Sequence, residues 1–239
     1  MKSISIIFPA YDEQEKIQAD ILAADQFLIS NSFEGEIIVV DDGSSDRTYE
    51  KASELISNLE SDLIVLKLEE NCGKGKAVAE GVKSASCDII LYSDVGLTIP
   101  FSDALAGLKF ISDNECEIAH GSRRMKESVI VKQQDKDRKV ISDFFIRFVK
   151  LFLGIPKNFT DTQCGFKIYK SGIAKELYSD LKITGFLFEI EIILKAIKSG
   201  NVIKEFPVNW KCDRDSRLSI FKSPWEIIKD TLKIYLNRF

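Results

Sequence analysis

Apolar and polar positions along this chain fall into blocks that read alternately as strands and helices. Ile4–Phe8 is an apolar run broken only by Ser5, the pattern of a strand buried on both faces. From Glu13 to Ser30, the residues Ile17, Ile21, Ala24 and Leu28 lie four, three and four apart, which is one helical stripe. Glu36–Val40, Leu63–Leu68 and Ile89–Tyr92 repeat the strand pattern. Between them the spacing predicts a helix holding Ala52, Leu55 and Ile56, capped by Ser44 or Ser45, and a third helix over Lys76–Ser84. Pro100 opens a fourth at a position that suits the first helical turn. Such alternation predicts an α/β fold, a mostly parallel sheet with helices on both faces.

The second half is less regular. Ile118–Gly121, Cys164–Tyr169 and Val202–Trp210 read as strands, and Phe188–Lys198 and Trp225–Asn237 as helices. Asp137–Leu153 reads as a helix with an apolar end, preceded by a lysine-rich stretch, Arg124 to Lys136, expected to be a mobile loop. No linker or repeat interrupts the chain. Residues 1–239 are therefore expected to form one domain with halves 1–115 and 116–239.

Composition narrows the chemistry. With 45% hydrophobic residues the chain can bury a sizeable core, and a net charge of −4 argues against a nucleic-acid partner. No apolar run is long enough to span a bilayer, and the N-terminus lacks a secretory h-region, so a cytoplasmic setting is expected. Five scattered cysteines without a CxxC pair, and a single histidine, His120, speak against a zinc site, a disulfide framework and a Ser-His-Asp hydrolase.

In parallel sheets ligands sit at the carboxyl ends of the strands, so the segments after each strand are the candidates. They are Pro9-Ala10-Tyr11-Asp12-Glu13, Asp41-Asp42-Gly43-Ser44-Ser45, Asn71-Cys72-Gly73-Lys74-Gly75 and Asp94-Val95-Gly96. Asp41 and Asp42 can meet a base N–H, a ribose diol or a metal, or cap the next helix. The Gly73–Lys76 turn can cradle a phosphate on its backbone N–H groups, though it is neither a Walker A loop nor a dinucleotide fingerprint. Asp94 can hold a hard cation against a diphosphate.

Taken in order, these segments resemble the GT-A glycosyltransferases of family 2. They are most similar to the polyprenyl- or dolichyl-phosphate sugar synthases, above all those that transfer glucose. The resemblance rests on Ile7-Phe8-Pro9-Ala10-Tyr11-Asp12-Glu13, on Val39-Val40-Asp41-Asp42-Gly43-Ser44-Ser45-Asp46, and on the Asn71–Gly75 loop. It continues in Gly121-Ser122-Arg123, in Asp161-Thr162-Gln163-Cys164-Gly165-Phe166-Lys167, and in Glu205-Phe206-Pro207-Val208-Asn209-Trp210 with Arg214 and Arg217 after it. It departs from the family at the metal motif, where D-x-D reads Asp94-Val95-Gly96.

The resemblance implies a GT-A fold and an inverting hexosyltransferase of envelope glycan synthesis. Its donor would be a nucleotide-diphospho-sugar, UDP-glucose favoured, and its acceptor a polyprenyl phosphate at the cytoplasmic membrane surface, where a membrane-protein partner is possible. It implies donor contacts from Pro9, Ala10, Tyr11, Glu13, Asp41, Asp42, Gly43, Lys74, Asp94, Val95, Arg214 and Arg217. It places the acceptor phosphate on Arg123, Arg138 and Ser142, and Asp94, Asp161 and Gln163 at the reacting centre. A divalent metal, Mg²⁺ or Mn²⁺, would rest on Asp94, with Asp161 or nearby Lys and Arg cations replacing the missing second acid. Arg123 to Lys150 carries nine basic and four acidic residues, and Phe144–Leu153 is mostly apolar, which suits an anionic membrane surface as well as core packing. Two other readings remain open. One is transfer to a saccharide hydroxyl, with Glu189 or Glu191 as base. The other is nucleotide-sugar binding without turnover, motivated by Gly96.

Overall fold

A computed structural model describes residues 3–132, 151–156, 159–185, 187–211 and 224–236. The strands are β1 (Ile4–Ala10), β2 (Gly35–Asp41), β3 (Asp62–Lys67), β4 (Ile89–Ser93), β5 (Ile118–Ser122), β6 (Val129–Lys132), β7 (Phe166–Lys170), β8 (Ile203–Pro207) and β9 (Asn209–Lys211). The helices are α1 (Ile17–Ser30), α2 (Thr48–Ser53), α3 (Lys74–Ser84), α4 (Ala104–Ser112), α5 (Ser171–Ser179), α6 (Phe188–Lys198) and α7 (Pro224–Leu236).

Side chains along β1, β2 and β4 alternate between two apolar layers. Ile6, Phe8, Ile37, Val39 and Leu91 face α1 and α4, meeting Ile17, Ile21, Ala24, Leu28, Leu108 and Ile111. Ile7, Ile38, Val40, Ile90 and Tyr92 face the other way, toward Ala77, Val78 and Val82 of α3 and toward α5 and α6. Each strand is thus covered on both faces, as its unbroken apolar run required. Buried Ser5 is satisfied by donating to Glu36 Oε1 at 2.6 Å while accepting from Cys87 N–H at 3.2 Å.

Seven strands form one sheet in the order β3-β2-β1-β4-β7-β5-β8. The β1–β2, β2–β3 and β1–β4 pairs are parallel, as is β5–β8. β7 runs antiparallel to both β4 and β5. The mostly parallel α/β expectation holds, with this one reversal. The sheet crosses the 115/116 line, because β7, β5 and β8 of the second half continue the edge of β4.

Other details differ from the sequence reading. α1 begins at Ile17, not Glu13. Neither Ser44 nor Ser45 caps α2; Asp46 Oδ1 accepts from Thr48 N–H at 2.9 Å instead. Pro100 lies just outside a 3-10 turn, Phe101–Asp103, that leads into α4. The stretch expected as a loop from Arg124 contains β6. The strand expected over Val202–Trp210 breaks after Pro207, and its last part leaves the main sheet to pair with β6. α5 was not anticipated, although Ala174, Leu177 and Tyr178 mark its buried face. Of the helix expected over Asp137–Leu153, only Leu151–Leu153 lie among the described residues, and they are helical.

Candidate active site

Strand order reverses at β1, which pairs with β2 on one side and β4 on the other, so a crevice opens at their carboxyl ends. The turns after β1 and β2 are laced together there. Asp12 adopts φ +49 and donates its N–H to Ser44 Oγ at 2.7 Å. Its Oδ1 accepts from Ser45 N–H at 2.7 Å and Ser45 Oγ–H at 3.0 Å, so a carboxylate suits this position. Glu13 N–H donates to Thr48 Oγ1 at 2.7 Å, and Asp42 N–H to the Ala10 carbonyl at 2.8 Å. Pro9, Ala10, Tyr11, Glu13, Asp41, Asp42 and Gly43 are brought together as expected. The Val95 side chain is not among them: it packs into the core, leaving only its backbone for a ligand.

Asp41 and Asp42 divide the work. Both Asp42 oxygens are taken, accepting from Cys72 N–H at 2.8 Å and Gly73 N–H at 2.9 Å. Burial raises its pKa against these bonds. Asp42 therefore fixes the 71–74 loop, and the Cys72 and Gly73 amides are spent on it. Gly75 N–H is spent as well, on the Thr184 carbonyl at 2.8 Å. What the loop presents is the Lys74 side chain. Asp41, fully buried, accepts from Ser44 N–H at 3.1 Å through Oδ1, while Oδ2 has no hydrogen-bond partner among the described residues and faces the Lys67 ammonium at 3.8 Å.

Lys74 reaches across to Asp94, with Nζ 2.5 Å from Oδ1. The contact is a close ion pair. The ammonium lies 5.5 Å from the Tyr92 ring centroid and 6.0 Å from that of Phe188, close enough for cation–π attraction. Burial pulls its pKa down, but Asp94 and Glu189 outweigh that and hold it above the ordinary lysine value. The Asp94 carboxylate rests where a side chain on residue 165 would start: a Cβ on Gly165 would stand 2.2 Å from Asp94 Oδ2. The backbones join there too, Asp94 N–H donating to the Gly165 carbonyl at 2.9 Å.

Gly96, at the second acid's position, has φ +104, a conformation a β-carbon strongly disfavours. Buried Asp20 of α1 holds this turn, accepting from Gly96 N–H at 2.8 Å and Leu97 N–H at 2.8 Å. Burial raises its pKa to about 6. Nothing in the sequence pattern marks Asp20, which lies three residues into the α1 stripe.

On the other side of the DTQCGFK segment, Arg123 binds Asp161 with both arms, Nε to Oδ2 at 2.7 Å and Nη2 to Oδ1 at 2.9 Å. Nη2 also donates to the Gln163 carbonyl at 2.8 Å, and the guanidinium lies 5.3 Å from the Trp210 ring centroid. Asp161 is fully buried and accepts further from Gln163 N–H at 3.1 Å and Arg123 N–H at 3.2 Å. Burial alone would raise its pKa, but the guanidinium keeps it well below the carboxylate range. The sequence reading places Asp161 at the reacting centre or beside a metal; in the structure the side chain faces Arg123. Its oxygens are consumed, and it orients Arg123. The Nη1 donors of Arg123 stay outside these bonds. Gln163 Oε1 and Thr162 Oγ1 are buried with no hydrogen-bond partner among the described residues. Glu205 anchors the segment, accepting from Thr160 N–H at 2.7 Å and Asp161 N–H at 2.8 Å.

Beneath both sites runs a buried polar row. His120, Lys167 and Tyr92 are cross-strand partners on β5, β7 and β4. Glu189 of α6 takes the Lys167 ammonium at 2.5 Å and the Tyr92 hydroxyl on one oxygen, and Lys167 also donates to the Cys164 carbonyl. Lys167 and Glu189 are 1% and 4% exposed. Burial would raise the Glu189 pKa, but Lys167 and Lys74 bring it below normal. Glu191 accepts from Lys182 N–H at 2.9 Å and Ile183 N–H at 2.7 Å and pairs with Lys195 at 2.7 Å. Neither glutamate is available as a general base, which corrects the reading that used one of them. Arg138, Ser142, Arg214 and Arg217 lie outside the described residues.

Among the described residues no group of three or more His, Cys, Asp or Glu side chains is arranged to hold a metal ion. Asp94 alone offers a hard oxygen there, its Oδ1 buried and unbonded except for the Lys74 ion pair. One carboxylate fits a magnesium-like ion that takes its remaining ligands from phosphate oxygens and water.

Residues 5–178 match the model of the glycosyl transferase family 2. The chain is 32% identical over 241 residues to the dolichyl-phosphate beta-glucosyltransferase of Dictyostelium discoideum, covering 97% of this chain and 73% of that protein. To the human protein of the same name it is 32% identical over 247 residues, covering 99% and 76%. Among solved structures, glucosyl-3-phosphoglycerate synthase of Mycobacterium tuberculosis, in complex with Mn²⁺, UDP-glucose and glycerol 3-phosphate, superposes with a TM-score of 0.70 at 17% identity, covering 97% of this chain and 79% of that one. That likeness establishes the GT-A-type fold expected from the sequence. The chain belongs to glycosyl transferase family 2.

Proposed function

We propose that this protein is an inverting glucosyltransferase that moves glucose from UDP-glucose to a polyprenyl phosphate at the cytoplasmic membrane surface, acting as one catalytic unit over 1–239. One observation carries the reading. The six residues from Asp161 to Phe166 hold two cationic positions at once, Lys74–Asp94 through Gly165 and Arg123 through Asp161 and Gln163. A reaction between a leaving diphosphate and an attacking phosphate needs cations on both sides of the sugar.

In this reading Asp41 Oδ2 receives a donor N–H or O–H at the base-and-ribose end. Lys74 neutralises the diphosphate, and Asp94 would hold a divalent ion, which supplies further charge neutralisation to the leaving group. Arg123 directs its Nη1 donors to the acceptor phosphate, with the Thr162 hydroxyl and the Gln163 side-chain amide beside it. A phosphate oxygen forms the bond to the anomeric carbon as the bond to the diphosphate breaks, the electron pair leaving with UDP. A phosphate monoester has a second pKa near 6, so at pH 7 it attacks without a general base. The engagement of Glu189 and Glu191 elsewhere supports this. Barrier lowering then comes from positioning and fixed charge.

The test is to incubate the protein with labelled UDP-glucose and polyprenyl phosphate, in Mg²⁺, Mn²⁺ or EDTA, and to count organic-extractable label. Lipid-phase label lost with EDTA and with Asp94→Asn is the expected result. No lipid label with any donor, while UDP still binds, refutes the reading.

A further inference from the structure

β5 and β8 run parallel with Ser122 opposite Pro207, so the residues that follow the two strands emerge side by side. After β5 comes Arg123, and after β8 comes β9, which carries Trp210. β9 leaves the main sheet and pairs with β6, where Ile130 stands opposite Trp210. It is tied down on both sides of the indole. Asn209 donates its N–H to Asp103 Oδ2 at 2.6 Å and its side-chain amide to Oδ1 at 2.9 Å. Lys211 N–H donates to the Thr98 carbonyl at 2.8 Å, in the turn that follows Asp94. Between these anchors Trp210 packs against the apolar cluster on the α1 and α4 face of the sheet. The Arg123 guanidinium lies over its ring, 5.3 Å from the centroid.

Among the described residues, the hydrogen bonds that hold the Arg123 side chain all leave from one edge. Nε donates to Asp161 Oδ2, and Nη2 donates to Asp161 Oδ1 and to the Gln163 carbonyl. Bonds along one edge stop a planar group from sliding or turning within its plane. They resist folding about that edge only weakly, and such folding swings Nη1, on the far side, out of line. A hydrogen bond weakens steeply as it bends, so the plane has to be held for Nη1 to donate well. Trp210 supplies what the edge lacks, a surface against the guanidinium face. The attraction of a cation to an aromatic face strengthens as water is excluded, and the Arg123 side chain is only 22% exposed. A guanidinium is planar and weakly hydrated, which suits it to stacking in this way.

We infer that Trp210 is a positioning residue for the acceptor phosphate, acting through Arg123. The indole holds the guanidinium plane so that the Nη1 donors meet a phosphate oxyanion in line. Because β9 is also bonded to the turn after Asp94, the same residue sets Arg123 at a fixed place relative to the donor side. The inference rests on the proposed acceptor site and adds to it a side chain that touches neither substrate.

The test is calorimetric titration of the full chain, saturated with UDP, with inorganic phosphate, alongside glucosylation of a short, water-soluble prenyl phosphate. Trp210→Leu keeps an apolar side chain and loses the aromatic face. It should weaken phosphate binding about tenfold and raise the acceptor KM by about the same factor, the size of a partly desolvated cation–π contact. UDP affinity and kcat should stay within about twofold of wild type. Trp210→Phe keeps a face and should bind phosphate within about threefold of wild type. In an Arg123→Gln background, adding Trp210→Leu should lower kcat/KM by less than about twofold, since the group through which the ring acts is gone. Four results would each overturn the inference: wild type that binds no phosphate, Trp210→Leu that binds it as wild type does, a parallel loss of UDP affinity, or a further loss of about tenfold in the Arg123→Gln background. The third is the mark of a merely structural role, and the fourth of a ring that touches substrate itself. Phosphate binding that depends on Trp210 and Arg123 while no prenyl phosphate is glucosylated upholds the inference and removes the acceptor reading instead.

Discussion

Replacing Glu189 by leucine takes away the carboxylate that receives both the Lys167 ammonium and the Tyr92 hydroxyl. Lys167, 1% exposed, then keeps only the Cys164 carbonyl, and Tyr92 loses its acceptor. Leaving one member of a buried pair uncompensated costs about 3–5 kcal/mol, whereas replacing both with apolar groups of similar volume is often close to neutral. Glu189→Leu should therefore lose about 3–5 kcal/mol in urea unfolding followed by tryptophan fluorescence. The double variant Lys167→Met with Glu189→Leu should be more stable than Glu189→Leu alone. The reasoning also separates counter-ion from base. A general base contributes about 10²–10⁴ to turnover. If Glu189→Gln keeps full stability and turnover still drops by that factor, with the acidic limb of the pH profile gone, Glu189 is a base and the argument fails. It fails equally if Glu189→Leu costs under about 1 kcal/mol, since no buried charge would then have been left unpaired.

Two further outcomes follow from the same site. The Asp20 carboxyl, with its pKa raised by burial to about 6, binds its proton more tightly folded than unfolded. Its contribution is thus fully present below about pH 4 and lost as pH rises through 6. Over roughly two pKa units, wild type should lose about 3 kcal/mol relative to Asp20→Asn between pH 4 and 7.5; parallel stability–pH curves for the two proteins would contradict this. Gly165→Ala places a methyl 2.2 Å from Asp94 Oδ2, so the carboxylate must move. UDP binding by calorimetry should weaken at least tenfold, while stability falls by about 1–3 kcal/mol, and normal UDP affinity in that variant would show that Asp94 does not serve the donor.

How much could be read beforehand depended on how local the information was. Alternating apolar blocks determined the strands, the helices and the α/β class, because side-chain period is a property of the chain itself. The strand-end segments and the DTQCGFK run could be picked out for the same reason: residues that share a site there are neighbours in sequence. Partners distant in sequence could not be read. The reversal of β7 follows from which edge it meets, and that reversal sets Lys167 between His120 and Tyr92. Asp20 looked like one more position in an amphipathic helix until the turn at Gly96 closed on it 76 residues away. That Asp42 accepts from the Cys72 and Gly73 amides, and Asp161 from the Arg123 guanidinium, could not be read from the pattern either. The sequence by itself determined most of the elements, the family and the segments that gather at the crevice. Only the tertiary structure decided which buried charge neutralises which, because burial makes every unpaired polar group costly and the partner that removes the cost is brought by topology.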